Sequence, residues 1–144
     1  MALHTALQEV YARTPTKKAP NNILSWLGVQ MFHDGQIEES VDYLERATNL
    51  ENPKGTELGV WRILSKVQNR SGRFTAAQKT SLLLLDQTQE PRWQADAYLD
   101  LAESRLGLRL YPETLEAVTK GLAIDAPGPH VAGLHIVGGE VALL

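Results

Sequence analysis

The chain of 144 residues contains no cysteine, which excludes disulfides, thiolate metal centres and a cysteine nucleophile and leaves the redox compartment open. It also lacks an excess of positive charge. Fourteen lysines and arginines stand against 17 acidic residues, a net charge of -3, where a general nucleic-acid binder carries a basic surplus. Apolar runs such as Leu82 to Leu85 fall far short of the ~20 residues that span a bilayer, so no membrane span is expected. His4, Gln8 and Glu9 interrupt the apolar stretch that a secretory signal would need.

Motifs of catalysis are missing as well. There is no glycine-rich phosphate loop, nucleophile elbow or dinucleotide fingerprint. His130, His135 and Glu140 do not form His-Glu-x-x-His, and a spacing of five puts His135 and Glu140 on different sides of a helix, so they are expected at the surface. No calcium loop or supporting histidine accompanies Asp96, Asp100 and Glu103, and His33-Asp34 reads as turn chemistry. The expectation is therefore no catalytic residue, no metal and no cofactor.

What the sequence does contain is a repeat. Leu24, Leu27, Gly28, Met31, Gly35, Ile37, Ser40, Leu44 and Ala47 form an apolar pattern at helical spacing, broken by a polar turn at His33 to Gly35. A shift of 37 gives Trp61, Leu64, Ser65, Gln68, Gly72, Phe74, Ala77, Ser81 and Leu84. A second shift of 37 gives Tyr98, Leu101, Ala102, Arg105, Arg109, Tyr111, Thr114, Val118 and Gly121. The turn glycine is missing from this third copy, although Gly107 is near.

Each unit reads as a helix A, a short turn and a helix B, and proline marks the connections at Asn52-Pro53, Pro91 and Pro127. Helices of this length are stabilised chiefly by packing, so each hairpin must bury its apolar stripe on the next. The spacing predicts one domain: a half-repeat helix B over 1–15, repeats over 21–53, 58–91 and 95–127, and a lone helix A over 129–144. Leu3, Leu7, Val10 and Tyr11 form the apolar face at one end, and Val131, Leu134, Val137 and Val141 form it at the other. A pattern that opens on half a repeat and closes on a lone helix A suggests a piece of a longer protein, or ends completed by another copy.

Leu24-x-x-Leu27-Gly28 and Trp61-x-x-Leu64-Ser65, with small residues at Ala47, Ala77 and Ala102, resemble the tetratricopeptide repeat family. The resemblance covers nearly the whole chain. It implies an all-α, right-handed α-α superhelical solenoid of helix-turn-helix units that binds proteins. The period of 37 exceeds the family's usual ~34, Gln68 and Arg105 replace an aromatic, and Leu84 replaces a small residue. HEAT or armadillo units, at ~40 to 47 residues, are the second choice.

In such an array helices A line a concave groove, and residues flanking the core stripe point into it. The groove candidates are Asn22, Ser25, Val29 and Phe32, then Arg62, Lys66, Asn69 and Arg70, then Asp96, Leu99, Asp100 and Glu103. Arg62, Lys66 and Arg70 share one helical stripe, and Asp96, Asp100 and Glu103 form an opposing one. Two outcomes are open: the stripes pair with each other, or the basic one reads a carboxylate or phosphate of a ligand. Some relatives clamp a peptide carboxylate with Lys and Asn on the first helix A; Ser25 and Val29 stand there, so the clamp is not carried over. Trp61 is expected in the core, Trp26 and Trp93 in the groove or between repeats, and Gly139 at a small packing position. The function expected is a scaffold that receives a peptide or helix of a protein partner, with self-assembly into a homo-oligomer through the apolar terminal helices as the alternative.

Overall fold

The structure, a computed structural model, describes residues 21–48 and 58–143. Among these residues there are seven α-helices and no strand: α1 (Asn21–His33), α2 (Ile37–Ala47), α3 (Leu58–Arg70), α4 (Phe74–Gln87), α5 (Pro91–Gly107), α6 (Tyr111–Leu122) and α7 (Pro129–Ala142). The protein is all-α, as the helical spacing predicts. The half-repeat expected over 1–15 and the connection at Asn52-Pro53 lie outside the described residues.

The turns inside the three hairpins obey one hydrogen-bond rule. At the first, the Gln36 N–H donates to the Met31 carbonyl at 2.9 Å and the Gly35 N–H to that of Phe32 at 3.1 Å. The second repeats this with Arg73 to Gln68 at 2.8 Å and Gly72 to Asn69 at 3.1 Å, and the third with Leu110 to Arg105 at 2.9 Å and Arg109 to Leu106 at 3.0 Å. This is the Schellman motif, which satisfies the last carbonyls of a helix and needs a left-handed residue. Gly35 and Gly72 supply it at φ 79°, and Arg109 supplies it at φ 62°. In the third copy Arg109 itself therefore takes the place of the turn glycine. Gly107 stays inside α5, where a Cβ would come within 2.5 Å of the Phe74 ring.

An L side chain in this conformation costs roughly 1–2 kcal/mol, partly offset on replacement by the entropy glycine regains in the unfolded chain. Arg109→Gly is expected to stabilise the protein by about 1 kcal/mol, read as a higher urea midpoint at unchanged slope. A lower midpoint would mean that the exposed Arg109 side chain contributes more than its backbone costs.

Packing follows the repeat. Each helix contacts the next in sequence, and α1, α3, α5 and α7 also contact one another in succession. The apolar core is a series of local clusters. Leu24, Leu27 and Ala47 join α1 to α2, and Val41, Leu44, Val60, Leu64 and Val67 join α2 to α3. Trp61, Leu84 and Ala97 lock α3, α4 and α5, and Leu101, Ala102, Ala117, Val118, Leu134 and Val137 join α5, α6 and α7. Close approach within the first hairpin depends on Gly28, whose missing Cβ would lie 2.4 Å from Leu44 Cγ; the Ser40 hydroxyl donates to the Gly28 carbonyl at 2.7 Å. The polar departures from the repeat pattern find partners. Gln68 is buried and its Oε1 accepts from Thr80 at 2.7 Å, while Arg105 donates to Gln78 and to the Glu113 carbonyl.

Several expectations are corrected. Pro91 does not close the second unit but opens α5, taking the first-turn position where its missing N–H costs nothing, so α5 begins four residues before the expected 95. His130 is buried, not at the surface, with Nε2 2.6 Å from the Ala126 carbonyl. Gly139 is exposed with open space around it; the small residue at which α7 approaches α5 is Gly133, opposite Leu99. Val137 and Val141 are buried within the chain, and the large apolar side chains exposed on α7 and just beyond it are Ile136 at 62% and Leu143 at 89%.

Candidate functional site

The two charged stripes meet between α3 and α5. Lys66 Nζ lies 2.9 Å from Asp96 Oδ2 and 3.1 Å from Asp100 Oδ1, and Arg62 Nη2 lies 3.2 Å from Asp96 Oδ2. The Ser65 hydroxyl donates to Asp100 Oδ2 at 2.7 Å, and the Asn69 side-chain amide donates to the Asp100 backbone carbonyl at 2.9 Å. Four residues from one side of α3, within two turns of each other, thus grip two acids one turn apart on α5. Asp100 is 2% exposed and Asn69 is buried, so these two members of the predicted groove set serve the contact between helices.

Burial is the largest influence on Asp100 and, helped by the neighbouring Asp96 and Glu103, pushes its pKa up to about 7 against the pull of Lys66 and Ser65. Burial works against the Lys66 ammonium, yet the charges and hydrogen bonds of Asp100 and Asp96 outweigh it and hold Lys66 above the ordinary lysine value. Glu103 is raised too, by burial first and by Asp96 and Glu140 in addition, against Lys66 and Arg70.

The remaining candidates lie elsewhere along α1, α3 and α5. Arg70 reaches back to α1, its guanidinium 4.9 Å from the centroid of the Phe32 ring. Val29 and Phe32 are half-buried against the α2–α3 cluster, Ser25 is half-buried nearer the start of α1, and Asn22 lies in the first turn of that helix. Leu99 packs against α7 at Gly133. Among the predicted residues, then, Arg62, Lys66, Asn69, Asp96 and Asp100 form one connected set, and Arg70 with Phe32 forms a second.

A cleft of about 800 Å³ opens beside the first set, at the starts of α3, α5 and α7. Its walls include Leu58, Arg62, Arg92, Trp93, Pro129 and His130. Arg62 lies over the Trp93 ring at 4.9 Å from the centroid, so an indole and two guanidinium groups border one concavity. The cleft offers a ligand stacking and hydrogen bonding. Its titratable and hydroxyl side chains are partly engaged: Thr88 Oγ1 accepts from the Glu90 N–H, and His130 Nε2 donates to a carbonyl. Sequence reasoning missed Arg92 and His130 here. Reading Pro91 as the first residue of α5 would have placed Arg92 and Trp93 in its first turn.

A second, smaller cleft of about 420 Å³ lies toward the far ends of α5 and α7, bordered by Glu103, Leu106, Ile136 and Glu140. Among the described residues no helix is long and apolar enough to cross a membrane, and no group of three His, Asp or Glu side chains is placed to hold a metal ion. No family model, curated protein or solved structure matches the chain. Fold and site together define an all-α protein whose odd-numbered helices share a polar, cleft-bearing face.

Proposed function

We propose that this chain is a protein-interaction scaffold: a right-handed superhelical array of tetratricopeptide-like hairpins whose odd-numbered helices receive a peptide or helix of another protein. The observation that carries the reading is the cleft at Trp93, where an indole face, Arg62 and Arg92 border a space large enough for several side chains. Aromatic and arginine side chains in concave sites are the usual anchors of protein recognition. The succession of contacts among α1, α3, α5 and α7 supports the array, because it makes one continuous face from alternate helices. A binding module is favoured over an enzyme since His130 and Asp96, beside the cleft, are held by structural partners. Self-assembly through the repeat ends has the exposed Ile136 and Leu143 in its favour, and sedimentation at rising concentration separates it from partner binding.

The test is selection from a displayed library of random peptides. Peptides enriched by the native chain are expected to lose at least about tenfold in affinity for a variant carrying Trp93→Ala and Arg92→Glu, which corresponds to losing roughly 1.4 kcal/mol. Circular dichroism should be unchanged, since Arg92 is exposed and Trp93 half-buried. Equal affinity for native and variant chains would remove the cleft from the binding site.

A further inference from the structure

The smaller cleft differs in chemistry from the one at Trp93. Its floor is apolar, with Leu106 and Val137, and Ile136 is 62% exposed beside it. Its rim carries two carboxylates, Glu103 of α5 and Glu140 of α7, and neither forms an ion pair within 4.0 Å with another described residue. The charge pattern of the face explains why. Lys66 and Arg70 act on Glu103 only at longer range, because the close contacts of Arg62 and Lys66 go to Asp96 and Asp100 and the Arg70 guanidinium lies over the Phe32 ring of α1. Helix α7 contributes Glu140 but contains no lysine or arginine. The described residues lining this notch thus include two carboxylates and no lysine or arginine.

We propose that the notch between α5 and α7 binds a lysine or arginine side chain of the partner segment, with its aliphatic stem against Ile136 and Leu106 and its cation between Glu103 and Glu140. This rests on the reading of the face as a binding surface. Long basic side chains match such a site because they combine an apolar stem with a charged head, and charge-assisted hydrogen bonds to carboxylates are the stronger kind. Burial already leaves the Glu103 carboxylate poorly solvated, so a cation from outside replaces hydration that folding has removed. The place of the notch also fits one ligand lying along both clefts. Trp93 and Glu103 stand ten residues apart on α5, which is about 15 Å of helix and roughly four to five residues of extended peptide.

The probe is acetyl-Leu-Arg-Leu-amide, titrated into isotope-labelled full chain and followed by NMR, beside the same peptide with citrulline for arginine. The arginine probe is expected to shift the Ile136 methyl and the Glu103 and Glu140 signals, and the uncharged probe to bind about tenfold more weakly. Glu103→Gln with Glu140→Gln should bring the arginine probe down to the level of the citrulline one; Glu140→Gln alone, on an exposed residue, serves if the pair perturbs folding. Equal binding of the two probes, or no shift at Ile136, overturns the proposal. Shifts confined to the Trp93 indole overturn it while leaving the larger cleft as a binding site, and the peptide selection on the Trp93 variant judges that site separately.

Discussion

Trp61→Ala is expected to destabilise the protein by about 3–5 kcal/mol, the range for removing a large aromatic from a packed core, and to do so as one cooperative loss. Trp61 is 0% exposed and packs with Leu84 of α4 and Ala97 of α5, so one side chain fills the junction of three helices. No other described residue of α3 is as large. Its loss leaves a void that Ala97 is too small to fill and that Leu84 can fill only by leaving its own contacts. The indole Nε1 is buried without a hydrogen-bond partner, which costs the native protein something already. Trp61→Phe, which keeps much of the volume and deletes that donor, is therefore expected to cost only about 1–2 kcal/mol. Urea unfolding of the three proteins tests the ordering. A loss below about 1 kcal/mol for Trp61→Ala would show that the junction collapses freely and that the helical pairs are not coupled through it.

Much of this fold was legible in the sequence, and the reason is periodicity. Gly35, Gly72 and Arg109 stand 37 apart and adopt the same left-handed turn, although composition alone would not have nominated an arginine. Ser40, Ala77 and Thr114 recur at the same spacing and are all buried. Helical spacing also put Arg62, Lys66 and Arg70 on one stripe and Asp96 and Asp100 on another. It fixes which face a side chain occupies, but not which neighbour closes over that face. That is why the buried Asp100 and Asn69 entered the groove set, and why the notch between Glu103 and Glu140, built from two helices far apart in sequence, was not seen. His130 was misread for a related reason: its burial depends on the loop at Ala126 folding back over it, a contact no periodicity encodes. Pro91 carried an ambiguity of its own, since proline both follows helix ends and opens helices.

The Asp100 carboxyl ties these levels together and carries the other large expected effect. Asp100→Ala removes the acceptor of Ser65 and one of the two acids that hold Lys66, and is expected to cost about 2–3 kcal/mol. That is less than the ~3–5 kcal/mol for stranding a fully buried charge, because Lys66 is 25% exposed and keeps Asp96. Asp100→Asn separates hydrogen bonding from charge. With a folded pKa near 7 against 3.8 for the ordinary carboxyl, native Asp100 binds more protons than its unfolded counterpart between about pH 4 and 7. The contribution of this group is thus fully present at low pH and lost as pH rises through 7, the reverse of an acid stabilised mainly by its salt bridge. Glu103, also raised, works in the same direction. Lys66, held above the ordinary lysine value, keeps its contribution throughout this window and loses it only at higher, alkaline pH. Urea unfolding at pH 5 and pH 8 should therefore show Asp100→Asn close to the native protein at pH 5 and gaining on it at pH 8. If the native protein instead gains on Asp100→Asn as pH rises, attraction to Lys66 outweighs burial, and the seam between α3 and α5 is a true salt bridge at neutral pH.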